Sequence, residues 1–245
     1  MKNDARRAPL GEEPEWIRAG RRPFREYAVG SLVPVVYERY ARIFHPAWST
    51  TNAPLRWEEV AAWSGRTMHA LAQWESLSRP LTASDGPAPF SEEPWADGLP
   101  PAHFSALRTL LASHTSTPDR CFVGVWEGYG WLDWADPSGG SALALEERTF
   151  IVRGGPIETT DDVGWRHPSG PFQWEPPTIV WPTDRAWFVA SDPDLDSTYL
   201  GGPAELIGAI LASDALEAWP VEATDRITDD SDLINEPRND DARSV

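Results

Sequence analysis

The chain has 245 residues, 14 of them tryptophan, one cysteine, and a formal net charge of −17. Because binding to a phosphate backbone or an anionic bilayer needs clustered lysine and arginine, this charge argues against nucleic-acid and membrane partners and favours a basic protein. Cys121 alone cannot form an internal disulfide, and neither a secretory-signal pattern nor an apolar run of membrane-spanning length is present, so the sequence predicts a cytoplasmic protein.

Three helices are predicted in the first half of the chain. Residues 34–44 begin with Pro34, which suits a first helical position, and carry their apolar residues at helical spacing. Residues 56–65 form a short amphipathic pattern that ends at Gly65, a typical residue just beyond a helix. Residues 101–114 have the clearest apolar face of the three.

From residue 120 onward the pattern changes to short segments rich in β-branched and aromatic residues, as in strands. A final helix with four large aliphatic residues on one side follows. Helices, then clustered strands, then a helix predict an α+β fold, with a mainly antiparallel sheet, N-terminal helices packed on it and a C-terminal helix. The predicted strands are 120–128, 148–154, 178–181, 185–191 and 196–200, and the final helix is 203–213.

Composition divides the chain into three parts. Residues 1–28 mix arginine and glutamate with few apolar residues and are predicted to be loosely ordered. Residues 29–221 are predicted to form a single domain, in which the Pro-rich stretch 79–100 is a long loop. Residues 222–245 are predicted to be a disordered acidic tail.

Three stretches of sequence resemble a group of actinobacterial proteins of unassigned function. They are RIFHPA at 42–47, CFVGVWEGYGW at 121–131 and WPTDRAWFVASDPDLDSTYLGG at 181–202. The resemblance implies a self-contained cytoplasmic domain. It implies no catalytic residue, because that group has no established activity.

The acidic turn SDPDLDSTYLGG raises the question of a calcium site. Asp192, Asp194 and Asp196 match the first three ligand positions of an EF-hand loop. The required glycine is replaced by Ser197 and the required glutamate by Pro203, so an EF-hand is excluded. The sequence favours a solvated turn between two strands, and a weaker calcium loop of another kind is left open.

Other chemistry-bearing residues receive structural interpretations. His103 and His114 lie on one predicted helix but roughly 16 Å apart, too far to share a metal ion. His45 is predicted to cap carbonyls at a helix end, and Cys121 to be a buried, unreactive thiol. Asp184 is predicted to accept backbone N–H groups in a turn. No metal, cofactor or catalytic residue is predicted.

A cluster of aromatic and acidic residues around two glycines is the strongest candidate site. Rings next to carboxylates suit a cationic side chain or the face of a sugar, and two carboxylates across a turn could form a glycosidase pair. The alternative is that the rings pack in the core while the acids face water, which is the interpretation favoured for Trp126. The candidate binding residues are Glu127, Tyr129, Trp131, Asp133 and Trp134.

These features favour an acidic, tryptophan-rich, non-catalytic domain that binds another protein. The alternative is binding or hydrolysis of a carbohydrate or small polar ligand through residues 126–136. A broad surface would support the first function, and a concave pocket with convergent carboxylates would support the second. A mainly structural role is also left open.

Overall fold

Helices and antiparallel strands are interspersed along the chain, and the computed structural model describes residues 14–82, 86–133, 140–166 and 169–235. Short 3-10 turns occupy Phe24–Glu26, Gly130–Asp133, Ile157–Asp162 and Asp229–Ser231. The α-helices are α1 (Glu15–Gly20), α2 (Val29–Leu32), α3 (Trp57–Ser64), α4 (Trp74–Leu77), α5 (Pro101–Ser113) and α6 (Ala204–Leu211). The strands are β1 (Arg39–Phe44), β2 (Ala47–Ser49), β3 (Pro54–Leu55), β4 (Phe90–Glu92), β5 (Cys121–Trp126), β6 (Ser141–Ala144), β7 (Thr149–Gly155), β8 (Gly164–Arg166), β9 (Phe172–Trp174), β10 (Ile179–Pro182), β11 (Phe188–Ser191), β12 (Ser197–Gly202) and β13 (Ala218–Val221).

The largest element is an eight-stranded sheet with strand order β13-β1-β12-β11-β10-β5-β7-β6. Every pair of neighbours in it is antiparallel. The α+β fold class and the mainly antiparallel sheet predicted from the sequence are therefore confirmed. All five segments predicted as strands contribute to this sheet.

Both faces of the large sheet are covered. Alternate side chains along each strand point to opposite sides, so each strand contributes to both cores. Ala41, Val189 and their neighbours pack under α5 and α6 on one face. Tyr40, Phe188 and their neighbours form a second core on the other face, together with Ile17 and residues of α2. A third cluster packs around Phe44, Trp57 and Trp74 beside β1 and α3.

The helices predicted at 56–65, 101–114 and 203–213 are confirmed as α3, α5 and α6. Gly65 ends α3 in the left-handed conformation, at φ 72°, where a side chain would be strained. Pro101 is the first residue of α5, where its missing N–H costs no hydrogen bond.

The helix predicted at 34–44 is wrong, since Arg39–Phe44 is strand β1 between β13 and β12. Over so few residues, the same apolar positions fit a helical stripe and a strand buried on both faces. Arg42 makes the strand harder to recognise, because it is only 2 % exposed and a charged residue is rarely buried inside a strand.

The predicted loose ends are also different in the structure. Ile17 in α1 is fully buried, and Ala223 and Ile227 are buried beyond β13. Asp232 and Asn235 are buried as well, so residues 222–235 are not a disordered tail, and residues 236–245 lie outside the described part. Composition did not predict this order, because a few buried apolar and hydrogen-bonded residues are enough to hold a mainly polar segment against the rest of the protein.

The Pro-rich stretch 79–100 contains more structure than a loop. Within it, β4 pairs with β2, which also pairs with β3 to make a three-stranded sheet. Leu99 is buried in the core under α5. Across the described ranges, no helix has the length and apolar character that crossing a bilayer would require.

Candidate functional site

The predicted aromatic segment lies where strand β5 ends. Glu127 is exposed, while Tyr129 and Trp131 are partly buried. Asp133 is the last residue of the 3-10 turn that begins at Gly130, and Trp134 lies outside the described residues. The structure therefore places the rings of Tyr129 and Trp131 at the surface but not fully in solvent.

Three rings follow one another along this segment. The Trp126 and Tyr129 centroids are 5.4 Å apart with the rings edge to face, and Tyr129 stacks on Trp131 at 5.5 Å. Trp126 was assigned to the core from the sequence. It packs against the core but is only partly buried. The three rings therefore stabilise this segment by packing on one another, although each remains partly exposed.

Carboxyl groups from distant parts of the chain meet at Tyr129. Its hydroxyl oxygen is buried and lies near Asp97 and Thr178. Burial and the charge of Asp97 raise the pKa of Tyr129. Desolvation and then Asp194 raise the pKa of Asp97, and desolvation and then Asp97 raise the pKa of Glu175. Because these carboxyl groups lie close enough to repel one another, a cation placed among them would be stabilised.

Arg148 joins the acidic turn to the aromatic segment. Its guanidinium donates to both oxygens of Asp192, at 3.0 and 2.9 Å, and to Asp194 at 2.6 Å. The guanidinium carbon also lies 4.5 Å from the centre of the Trp126 ring. The single positive charge of Arg148 therefore interacts with two carboxylates and one ring, so the pair of carboxylates keeps one net negative charge.

The same contacts explain the acidic turn. Residues 192–196 connect β11 to β12, as the sequence predicted. Asp192 is buried rather than solvated, because Arg148 holds it, and Asp196 pairs with Arg42 at 3.4 Å. Where the structure describes the chain, no group of three or more His, Cys, Asp or Glu residues is arranged to hold a metal ion.

Trp131 also lines a narrow cleft with about 40 Å³ of solvent-accessible space. Its other lining residues are mainly apolar and include Val123 and Val125, together with Arg153 and Asp162. Among the described residues that line it, Asp162 is the one carboxylate. Glycoside hydrolysis ordinarily needs two facing carboxyl groups, so these lining residues do not form such a pair.

The other residues singled out from the sequence have structural contacts. Asp184 accepts from Thr115, from Ser116 and from the Ala186 N–H, as predicted for a turn. Cys121 is buried, as predicted, and this burial raises the pKa of its thiol to about 12.

His45 does not cap a helix, since it follows strand β1. Its Nδ1 is 2.6 Å from the Trp95 carbonyl, and its Nε2 is 2.9 Å from the Thr198 hydroxyl. Burial lowers the pKa of His45 to about 4, so the ring is neutral at pH 7. A neutral, fully buried histidine with both nitrogens occupied is a structural residue.

Sequence reasoning missed Asp97, Arg148 and Glu175. Asp97 lies in the Pro-rich stretch, and Arg148 and Glu175 flank strands, where polar residues are common. No local pattern marks any of them, because the fold alone brings them to the aromatic segment.

No protein-family model matches the chain, and no significantly similar curated protein or solved structure was found. The resemblance to actinobacterial proteins thus stays a prediction from the sequence.

Proposed function

We propose that the protein is a non-catalytic domain that binds a basic partner protein through the surface around Tyr129. This Tyr129 surface consists of Asp97, Tyr129, Trp131, Glu175 and Asp194. A cytoplasmic location stays a prediction from the sequence.

The contacts of Arg148 carry the proposal. Within the protein, this guanidinium is held by two carboxylates and lies over the Trp126 ring. The neighbouring Tyr129 and Trp131 rings, together with the Asp97 and Glu175 carboxyl groups, offer the same kinds of groups to a second guanidinium or ammonium from outside.

Charge supports the same partner chemistry. The pKa of Asp97 is set by its desolvation and by two neighbouring groups, Tyr129 and Asp194, neither of which is a cation. Glu175 accepts from the Trp165 indole N–H at 3.0 Å and senses the charge of Asp97. A cation from a partner would relieve this repulsion, and the overall charge of −17 would speed its approach.

Hydrolysis or binding of a sugar at residues 126–136 is less well supported. The cleft lined by Trp131 is narrow and mainly apolar, and its described lining includes one carboxylate rather than two. The acidic and aromatic Tyr129 surface suits an arginine or lysine side chain better.

The test uses a short peptide as probe: acetyl-Gly-Arg-Arg-Gly-amide, against the same peptide with citrulline in place of arginine. Citrulline keeps the shape of arginine and removes the charge. Indole N–H signals in ¹⁵N NMR follow the titration, and the Trp131 signal is assigned with Trp131→Phe. We expect the arginine peptide to move the Trp131 signal, and added salt to weaken the effect.

Asp97→Asn and Asp119→Asn form a matched pair, because each removes one negative charge. Asp119 is exposed, and its aspartate side chain lies outside the Tyr129 surface. We expect Asp97→Asn to weaken peptide binding about tenfold, as for the loss of a charged hydrogen bond, and Asp119→Asn to leave it nearly unchanged. Equal binding of the citrulline peptide, or equal effects of the two variants, would contradict the proposal.

A further inference from the structure

A second cleft lies between β3, the start of α3, the first turn of α5 and the connection from α6 to β13. It offers about 300 Å³ of solvent-accessible space, at the lower end of the range of about 300–1,000 Å³ usual for small-molecule sites. Pro46, Pro54 and Leu55 form apolar walls, and His103 and Glu217 supply polar groups. This Glu217 cleft shares no residue with the Tyr129 surface.

Glu217 is a buried acid with unused hydrogen-bonding capacity. The residue is 7 % exposed, and its two carboxyl oxygens accept the N–H groups of Trp57, at 2.6 Å, and Glu58, at 2.8 Å. Each oxygen can accept one more hydrogen bond. Burial raises the pKa of Glu217 to about 7, even though these two bonds and Arg56 lower it. The negative charge is therefore incompletely compensated.

His103 contributes a second polar atom without a partner. Its Nδ1 is buried and has no hydrogen-bond partner. Burial lowers the pKa of His103, so the ring is neutral at pH 7. With the proton on Nε2, Nδ1 presents a lone pair that lacks a donor, and a buried acceptor in this state is costly.

The charges at the mouth do not supply that donor. Arg56 pairs with Glu58 at 2.9 Å, and Asp214 lies exposed on the rim. Two carboxyl groups and one neutral imidazole thus line the cleft beside a single arginine that is already paired. The ligand that complements this arrangement is cationic at one end and apolar at the other.

We propose that the Glu217 cleft binds a small organic amine as its ammonium ion, which donates to Glu217 and His103 while its carbon chain or ring packs on Pro46, Pro54 and Leu55. An ammonium carries three donors and no acceptor, as these groups require. Binding favours the ionised carboxylate, so a protonated Glu217 releases its proton when the amine enters. The charged and titratable groups facing Glu217 are Arg56, Glu58, His103 and Asp214.

Calorimetric titration with benzylammonium chloride at pH 7, in buffers of different ionisation enthalpy, measures both affinity and proton release. Benzyl alcohol is the matched neutral control. We expect millimolar or tighter binding, with release of about half a proton per site because Glu217 titrates near pH 7. Benzyl alcohol should bind at least about tenfold more weakly, since it cannot form the charge-assisted bonds.

The variant Glu217→Gln should weaken benzylammonium binding about tenfold and abolish the proton release. If that variant does not fold, His103→Leu tests the same site. It removes the His103 nitrogen and leaves the bonds from Glu217 to the first N–H groups of α3 in place. Asp97→Asn is the control and should change nothing here. N-α-acetyl-lysine methylamide distinguishes the source of the amine: equal binding indicates a lysine side chain, and exclusion indicates a free amine. Equal affinity for benzyl alcohol, no binding in the millimolar range, or unchanged affinity in a folded Glu217 or His103 variant overturns the proposal.

Discussion

Asp232 joins the C-terminal segment to the residues before α4 and also orders the end of that segment, so replacing it with alanine should be strongly destabilising. Its carboxylate accepts from His69 Nε2 at 2.8 Å and from the Gln73 N–H at 3.2 Å. It also accepts the Ile234 N–H at 3.1 Å, the Asn235 N–H at 2.8 Å and the Asn235 side-chain amide at 3.0 Å. Five donors converge on a residue that is 3 % exposed.

Alanine at 232 would leave several of these donors buried without an acceptor. Removing one partner of a buried charged network typically costs about 3–5 kcal/mol, and the five bonds do not add independently. For a chain of this size, that loss corresponds to a fall in the thermal midpoint of roughly 10 °C. Urea unfolding, followed by tryptophan fluorescence and by circular dichroism, gives the free energy of unfolding.

Asp229→Ala is the matched control, because Asp229 is exposed and lies three residues earlier in the same segment. We expect it to change the free energy of unfolding by less than about 0.5 kcal/mol. If Asp232→Ala costs no more than Asp229→Ala, residues 222–235 are not held to the rest of the protein in the way described.

Two further predictions concern stability. Between pH 4.5 and 7 the folded state retains a proton on Glu217 that the unfolded chain has lost, so this group makes the protein less stable as the pH rises through that window, by on the order of 3 kcal/mol. Glu217→Gln removes this dependence. In urea titrations, the stability of the variant relative to wild type should therefore increase from pH 5 to pH 7. If the difference in the free energy of unfolding between the two proteins does not change with pH, Glu217 titrates normally. Trp187→Ala should cost about 3–5 kcal/mol because Trp187 is fully buried, whereas Trp131→Ala should cost less than half as much because Trp131 is partly exposed; equal losses in the same assay would place Trp131 in the core.

The strands between residues 120 and 202 were predictable because β-branched and aromatic residues cluster there and turns separate the clusters. Strand β1 was not predictable in the same way. Arg42 is buried there by a hydrogen bond to Ser197 and by the Phe44 ring 4.2 Å away. The Phe44 ring lies two residues along the same strand, whereas Ser197 becomes available only when β1 pairs with β12, so the sequence pattern alone contains no sign of that hydrogen bond.

The candidate site was predictable only in part. Glycines and charges around Tyr129 and Trp131 indicated rings near the surface, and both are partly exposed. Asp97, Arg148 and Glu175 come from three other segments, and their approach to Tyr129 depends on strand order. Long-range convergence of this kind has no local signature in a single sequence.

Binding of a basic protein to the Tyr129 surface can be tested by crosslinking. The most direct measurement places the photo-crosslinking residue p-benzoylphenylalanine at Trp131, with the same residue at Tyr27 as an exposed aromatic control, and identifies the crosslinked peptides in native lysate by mass spectrometry. We expect one dominant partner to be captured from Trp131 but not from Tyr27, through a peptide rich in arginine or lysine. That capture should be lost with Asp97→Asn but not with Asp119→Asn. Capture that is the same at both positions, or that survives Asp97→Asn unchanged, would contradict the proposed binding surface.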